Sequence, residues 1–352
     1  MKRLICCLMT ALLAITLLGG CGGDTQSAGG EDSEKVYEWK FASIYPNPAV
    51  TKDFVSTSVS QEKFCQLIEE RSGGRMKITP FYDGVLGTSN ELFEQVKNGE
   101  LEIYLGQPMS NYDPRFAAWS IPYLFSGFEE IQALACDQDG EIFQMSKEWL
   151  GEQGIELLAV GAGNLRGFVN SKHTIKTVSD LRDLKVRTYQ DPVVTEFWSG
   201  VCNASPLPMS EVFTGLQTKA IDGLEFAGTS VVGQKFYEVA KYYSDIDWQW
   251  CSSANFQVSR KAWEELPEDL QRLVEECAIE AMAFQSETEI KDVEKAKEAL
   301  EEQGVEYYEL SDAERQTFID YARTTDEFVR EFVGAEVFDA MFKAVEDYRS
   351  SK

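Results

Sequence analysis

Arg166-Gly167-Phe168-Val169-Asn170-Ser171-Lys172 opens a stretch that runs through Leu184-Lys185-Val186-Arg187-Thr188 and Pro208-Met209-Ser210-Glu211-Val212-Phe213. It closes at Ala220-Ile221-Asp222-Gly223-Leu224-Glu225-Phe226. Short apolar runs alternate in it with helical spacings. Phe168-Val169 and Lys185-Val186-Arg187 suit strands. Ser179 is placed to cap a single helical turn at Asp180-Leu181. Val212, Phe213 and Leu216 share one face of a helix from Glu211 to Lys219, which leads into a strand at Ile221-Asp222-Gly223-Leu224. Strands alternating with helices predict an α/β layer around a mostly parallel sheet. Ligands of such sheets sit at the carboxyl ends of the strands, the positions of Arg187 and Phe226.

Upstream, Val36 to Ile44 alternates as a first strand. Its terminal loop, Tyr45-Pro46-Asn47-Pro48, makes Tyr45 and Asn47 candidate ligand-binding residues. Phe54 to Arg71 reads as an amphipathic helix stopped by Gly73-Gly74, and Met76 to Tyr82 as a second strand. Asn90 to Asn98 is a helix with Gly99 as its C-cap, followed by a strand from Leu101 to Leu105. This β-α-β-α-β order builds a first domain. Trp119-Ser120-Ile121-Pro122-Tyr123-Leu124-Phe125 is an aromatic loop better suited to domain packing than to stacking on a ligand.

Ile131 to Gly154 is predicted helical and Glu156 to Gly161 returns as a strand, after which the central stretch forms a second domain. Phe256-Gln257-Val258-Ser259 is a strand crossing back. From Pro267, at a helix N1 position, Leu270, Leu273, Val274, Cys277, Ala278, Ala281 and Met282 share one face. The pattern continues past Ala296 to Leu300 and stops at Gly304. Over thirty helical residues span more than about 45 Å, longer than one small domain needs. A coiled-coil partner helix is the alternative, although the heptad does not persist. Amphipathic helices from Phe318 to Tyr348 complete the second domain.

The chain has 352 residues, enough for two domains, and 43% hydrophobic composition supports a substantial core. A net charge of −26 argues against nucleic-acid binding, which needs a basic footprint, and reads as a solvated acidic surface. Lys2 and Arg3 precede an apolar run from Leu4 to Leu18, the pattern of a targeting segment. Leu18-Gly19-Gly20-Cys21 resembles a bacterial lipobox, which implies cleavage before Cys21 and its lipidation. Gly22 to Ser33 then serves as a flexible tether. Beyond Cys21, Cys65, Cys136, Cys202, Cys251 and Cys277 show no CxxC or zinc spacing and read as buried free thiols, with one disulfide possible in principle.

Enzyme constellations are sparse. The one histidine, His173, sits in a predicted turn with no nucleophile near it in sequence. Gly161-Ala162-Gly163 lacks the spacing of a phosphate-cradling loop, and no His/Cys set has metal-ligand spacing. A glycosidase-like carboxylate pair among 59 acidic residues stays compatible with the composition. What the residues offer is recognition. A guanidinium at a strand end grips a carboxylate as a bidentate, charge-assisted pair, geometry that lysine does not reproduce. Arg187 is the leading candidate.

These residues resemble the solute-binding proteins of TRAP transporters, DctP type. The likeness is carried by Arg166, the Lys185-Val186-Arg187 strand, the Ser210-Glu211-Val212 helix and the Asp222-Gly223 strand. It extends to Phe81-Tyr82-Asp83-Gly84-Val85-Leu86-Gly87 with Glu91-Leu92 and Gln95-Val96. It continues in Phe236-Tyr237-Glu238-Val239-Ala240-Lys241-Tyr242 and in Ser259-Arg260-Lys261-Ala262-Trp263 with Leu266-Pro267. The resemblance implies a long helix that spans both domains and bends on closure. It implies that Arg187 forms a salt bridge to an organic acid, with Arg166 as a second arginine and Glu91 accepting ligand hydroxyls, unless Glu91 serves only as a helix N-terminal charge. Met209 falls where the family packs an apolar residue on the ligand. Phe226 departs from the Asn common there, replacing an amide by an apolar wall and arguing against sialic-acid-type recognition. A branch that binds 2-oxo acids through a metal ion resembles this chain in Glu225-Phe226 and Trp248, but the positive charge of Arg166 would oppose a cation.

The reading is thus a two-domain, periplasmic-binding-protein-like α/β fold of type II character. Its parts are a signal peptide (1–20), a tether with lipidated Cys21 (21–35), domain I (36–163 plus 253–292) and domain II (164–252 plus 293–348). The predicted function is extracytoplasmic capture of a uronate or other sugar acid, or a C4-dicarboxylate, with no cofactor and no enzyme activity. The partners implied by the resemblance are a TRAP-type membrane permease and, through the lipid, the membrane. The alternatives are the metal-assisted 2-oxo acid binder, an ABC-type binding protein and a secreted carbohydrate-active enzyme.

Overall fold

Strand pairing divides the chain into two sheets. The structure, a computed structural model, describes residues 35–250 and 252–352. The signal segment, Cys21, its tether and Cys251 lie outside the described residues. Chain order begins β1 (Tyr37–Ser43), α1 (Ser56–Arg71), β2 (Met76–Phe81), α2 (Ser89–Asn98) and β3 (Ile103–Leu105), the expected β-α-β-α-β. A 3-10 segment, Pro114–Ser120, precedes α3 (Phe128–Ile131), a π turn, α4 (Glu141–Glu152) and β4 (Ile155–Val160). The central stretch supplies β5 (Gly167–Asn170), β6 (Lys185–Thr188), α5 (Pro192–Ser199), β7 (Asn203–Pro206), α6 (Met209–Gln217) and β8 (Gly223–Phe226). Then come α7 (Gly228–Gly233), β9 (Tyr242–Asp245), β10 (Asn255–Ser259), α8 (Arg260–Glu264), α9 (Glu268–Glu302), β11 (Glu306–Glu309), α10 (Asp312–Arg323), α11 (Asp326–Val333) and α12 (Ala335–Ser350).

The first sheet is ordered β2-β1-β3-β10-β4 and the second β11-β9-β5-β8-β6-β7. Both are mixed rather than mostly parallel. β10 runs antiparallel to β3 and β4, and β5 antiparallel to β8 and β9. The physical reason lies in the connections. A chain that leaves one sheet and re-enters it from the other is free of the crossover geometry that keeps a local β-α-β unit parallel. The helical turn after Lys176 is capped by Thr177, in a reciprocal capping box with Asp180, instead of by Ser179.

The chain passes between sheets near residues 161–166 and 246–254, and these two passes pair with each other. Arg166 N–H donates to Gln249 O at 2.8 Å, Trp248 N–H donates to Arg166 O at 3.1 Å, and Leu165 bridges Trp250. The third link is α9, whose 35 residues span about 52 Å. Its first half buries Leu270, Val274, Cys277, Ala278, Ala281 and Met282 in the core behind the first sheet, where Phe41, Phe64 and Phe256 meet with ring centroids 4.9–5.6 Å apart. Its far end buries Leu300 with Val169, Leu224 and Phe226 under the second sheet. The C-terminal helices depart from the expected assignment to the second domain. α10 buries Phe318 and Ala322 there, whereas Val329, Val333, Phe338, Met341, Ala344 and Val345 of α11 and α12 join the first core with Leu92, Phe93 and Phe143. Amphipathicity shows that a helix has a buried face, not which core receives it. Among the described residues, Cys65, Cys136, Cys202 and Cys277 are free thiols.

Candidate functional site

Parallel pairing of β6 with β8, Val186 opposite Gly223 and Arg187 opposite Leu224, brings their carboxyl ends to one edge of the second sheet. Arg187 is 3% exposed there. Its Nε donates to Leu207 O at 2.9 Å, which fixes the plane of the guanidinium. Burial lowers its pKa to about 10; the Glu225 carboxylate opposes that shift and Arg166 adds to it. Arg187 therefore stays charged at neutral pH, yet no carboxylate lies within ion-pair distance of it among the described residues.

Arg166 reaches the same edge by the opposite route. Because β5 is antiparallel to β8, Gly167 faces Phe226, and the residue preceding β5 lies beside the end of β8. Arg166 Nη1 donates to Glu225 Oε2 at 2.8 Å, with the side chains 5% and 0% exposed. Burial raises the Glu225 pKa, while Arg166 and Arg187 pull it down. The Arg166 guanidinium also lies over the Tyr189 ring at 5.0 Å and the Phe226 ring at 5.9 Å. Tyr189 Oη is hydrogen-bonded to Ser120 Oγ at 2.9 Å and accepts from Gln249 Nε2 at 2.8 Å. Burial holds this phenol well above its ordinary pKa.

The two arginines face a cavity of about 810 Å³ between the sheets, within the range of small-molecule sites. Of the sequence-predicted residues, Tyr45, Glu91, Arg166, Arg187, Met209 and Phe226 line it. Tyr45 Oη donates to Ser253 O at 3.0 Å, and Phe226 packs on Phe236 with centroids 5.5 Å apart. Glu91 serves as the N-terminal charge of α2 and stands at the cavity. Its carboxylate closes a capping box, accepting from Thr88 N–H at 2.7 Å and Thr88 Oγ1 at 2.9 Å, and it also borders the cavity. These bonds to Thr88 lower its pKa.

Three predicted residues stand elsewhere. Glu225 lies behind Arg166 rather than in the lining. Asn47 turns its side chain back on its own loop, accepting from Ala49 N–H at 2.9 Å. Trp248 is fully buried in the second core, stacked on Phe197 at 4.8 Å and edge-on to Trp198. The aromatic loop packs as well: Trp119 stacks on Trp250 at 5.4 Å, and Phe125 meets the same indole edge-on.

Sequence reasoning missed the contribution of α9. Glu289 borders the cavity, buried, and accepts from Ser56 Oγ of α1 and from Thr229 Oγ1 of α7 at 2.8 Å. Burial raises its pKa against the pull of these two hydroxyls. Ser286 Oγ, one position after Gln285, accepts from Ala162 N–H of the first crossing pass at 2.9 Å. A signal was present: the buried stripe of α9 turns from apolar at Ala281 and Met282 to Gln285, Ser286 and Glu289, then back to apolar at Ala296 and Leu300. Polar residues interrupting a buried face mark where the helix leaves one core and has not reached the next.

Residues 50–331 match the family of bacterial extracellular solute-binding proteins, family 7 (DctP). The 2,3-diketo-L-gulonate-binding periplasmic protein YiaO of Escherichia coli is 27% identical over 292 residues, 81% of this chain and 87% of that protein. The crystal structure of a sugar acid binding protein from Advenella mimigardefordensis, in complex with galactonate, superposes with a TM-score of 0.81 at 25% identity, covering 89% of this chain and 99% of the other. A TRAP periplasmic solute-binding protein from Shewanella oneidensis with bound succinate shares the fold, with a TM-score of 0.79 at 24% identity over 88% and 99% of the two chains.

Proposed function

We propose that this chain, which belongs to the bacterial extracellular solute-binding proteins of family 7, captures a small organic acid in the cavity between its two sheets and delivers it to a TRAP-type membrane permease. The family is one of ligand-binding proteins rather than enzymes. The observation that carries the reading is Arg187: buried, charged, tethered through Nε, facing the cavity and without a carboxylate at ion-pair distance among the described residues. A buried cation left in that condition is costly unless a ligand completes it. A ligand carboxylate supplies the missing anion, and the fork geometry of the guanidinium takes it in bidentate fashion. Relatives that bind a diketogulonate and a galactonate favour sugar acids, and a C4-dicarboxylate fits the same grip.

Binding works by population shift. A cavity of about 810 Å³ is larger than one small acid, so approach of the two lobes around the ligand adds contacts that favour the closed state. The three links between sheets are the bending points. Lipidation at Cys21, with residues 22–33 as tether, would hold the protein at the membrane beside the permease. The Arg166–Glu225 pair weighs against the metal-assisted reading, because the guanidinium already brings the positive charge a cation would supply.

The test is a thermal-shift screen of the purified protein against small organic acids. An acid at about 100 times its Kd raises stability by about 2.7 kcal/mol, an easily measured rise in Tm. Arg187→Ala is expected to abolish that rise while leaving the ligand-free transition cooperative. A chain that responds to no carboxylate would sink the reading.

A further inference from the structure

The charges of the cavity are unevenly placed. Among its described lining residues, Arg166 and Arg187 are the only cations, and both stand at the edge of the second sheet. Arg166 is balanced from within the protein by Glu225, at 2.8 Å. Two guanidinium charges against one carboxylate leave a single positive charge, and its location is Arg187. Elsewhere the charged lining residues are all carboxylates: Asp83 and Glu91 on the side of the first sheet, and Glu289 from α9. The neutral polar lining includes Asn90, Gln107 and Asn164.

We infer that the site is built for a monocarboxylate whose remainder is uncharged and rich in hydroxyls, and that Glu225 sets this limit by neutralising Arg166. The inference rests on the proposed role of Arg187 as the carboxylate grip. A second ligand carboxylate has to leave water and finds no uncompensated cation among the described lining residues, while Asp83 and Glu91 stand on the side of the first sheet. A hydroxyl at the same place loses far less hydration. It donates to those carboxylates, which accept and cannot donate when ionised, or exchanges hydrogen bonds with the Asn and Gln amides. Specificity then arises as much from what those carboxylates repel as from what Arg187 attracts.

The experiment is calorimetric titration of the purified protein with D-galactonate and galactarate, which share a carbon chain and differ by one terminal carboxylate. D-glucuronate and succinate extend the comparison. Monocarboxylates are expected to bind at least about 100-fold more tightly than galactarate and succinate. Glu225→Gln, which uncovers the Arg166 charge, is expected to narrow that ratio at least about tenfold. Galactarate or succinate binding as tightly as the best monocarboxylate would overturn the inference. If Arg187→Ala then abolished both, the carboxylate grip would stand without it. A protein that binds no acid of either kind removes the grip and the inference together. Should Glu225→Gln not fold, the ratio measured in the unaltered protein decides.

Discussion

Arg166 and Glu225 meet across antiparallel strands: Gly167 faces Phe226, and the side chains flanking that pair join through Nη1 and Oε2 at 2.8 Å, both buried. Neither residue is polar decoration on a sheet edge. The pair fixes the net charge beside Arg187, and each member depends on the other for being buried at all.

Removing one partner should therefore be worse than removing both. Arg166→Met or Glu225→Leu alone leaves an uncompensated buried charge and is expected to cost about 3–5 kcal/mol. The double replacement Arg166→Met with Glu225→Leu should recover most of that loss. Urea unfolding of the four proteins measures the coupling; single-variant losses that simply add in the double variant would refute it.

Arg187→Lys keeps the charge but loses the Nε bond to Leu207 O and the planar fork. The Kd for the best-bound acid is expected to rise at least about tenfold, with the Tm of the ligand-free protein little changed. Unaltered affinity would mean that Arg187 acts as a point charge only.

Asp191 gives the fold a pH dependence whose sign follows from burial. It caps α5, accepting from Val193 N–H at 2.9 Å and Val194 N–H at 3.2 Å, and it takes hydrogen bonds from Ser110 at 3.2 Å and Ser120 at 3.3 Å. Burial outweighs these donors and raises its pKa from 3.8 to about 6. The folded state thus holds the proton more tightly than the unfolded chain. The contribution is fully present below pH 3.8 and is lost as pH rises to about 6, amounting to about 3 kcal/mol. Asp191→Asn, which keeps an acceptor for the cap, should remove that decline. Denaturant midpoints of the two proteins between pH 4 and pH 7 check it; parallel curves would count against the assignment.

Local patterns were legible because they depend on neighbours in sequence. Gly99 ends α2 with a φ of 75°, as its position after Asn98 predicts, and the Lys185-Val186-Arg187 strand forms where its alternation places it. The long apolar face from Leu270 to Met282 revealed α9. Other assignments had no local signal. Trp248 sits in the second core with Phe197 and Trp198, and an indole in a sequence carries no mark that separates packing from recognition. Val329, Phe338 and Met341 are equally apolar on either core, so the return of α11 and α12 to the first core was invisible.

The sequence by itself determined the order of elements and the family, and it singled out the two arginines that we propose for recognition. Only the tertiary structure decided how their charges are used. Arg166 and Glu225 are remote in sequence and carry no pattern that pairs them; they meet because β5 runs antiparallel to β8. Glu289 reaches the cavity because α9 crosses from one core to the other, where Ser56 and Thr229 approach it. Strand direction and helix docking are settled by the burial of whole faces, a sum over distant contacts that no local window contains.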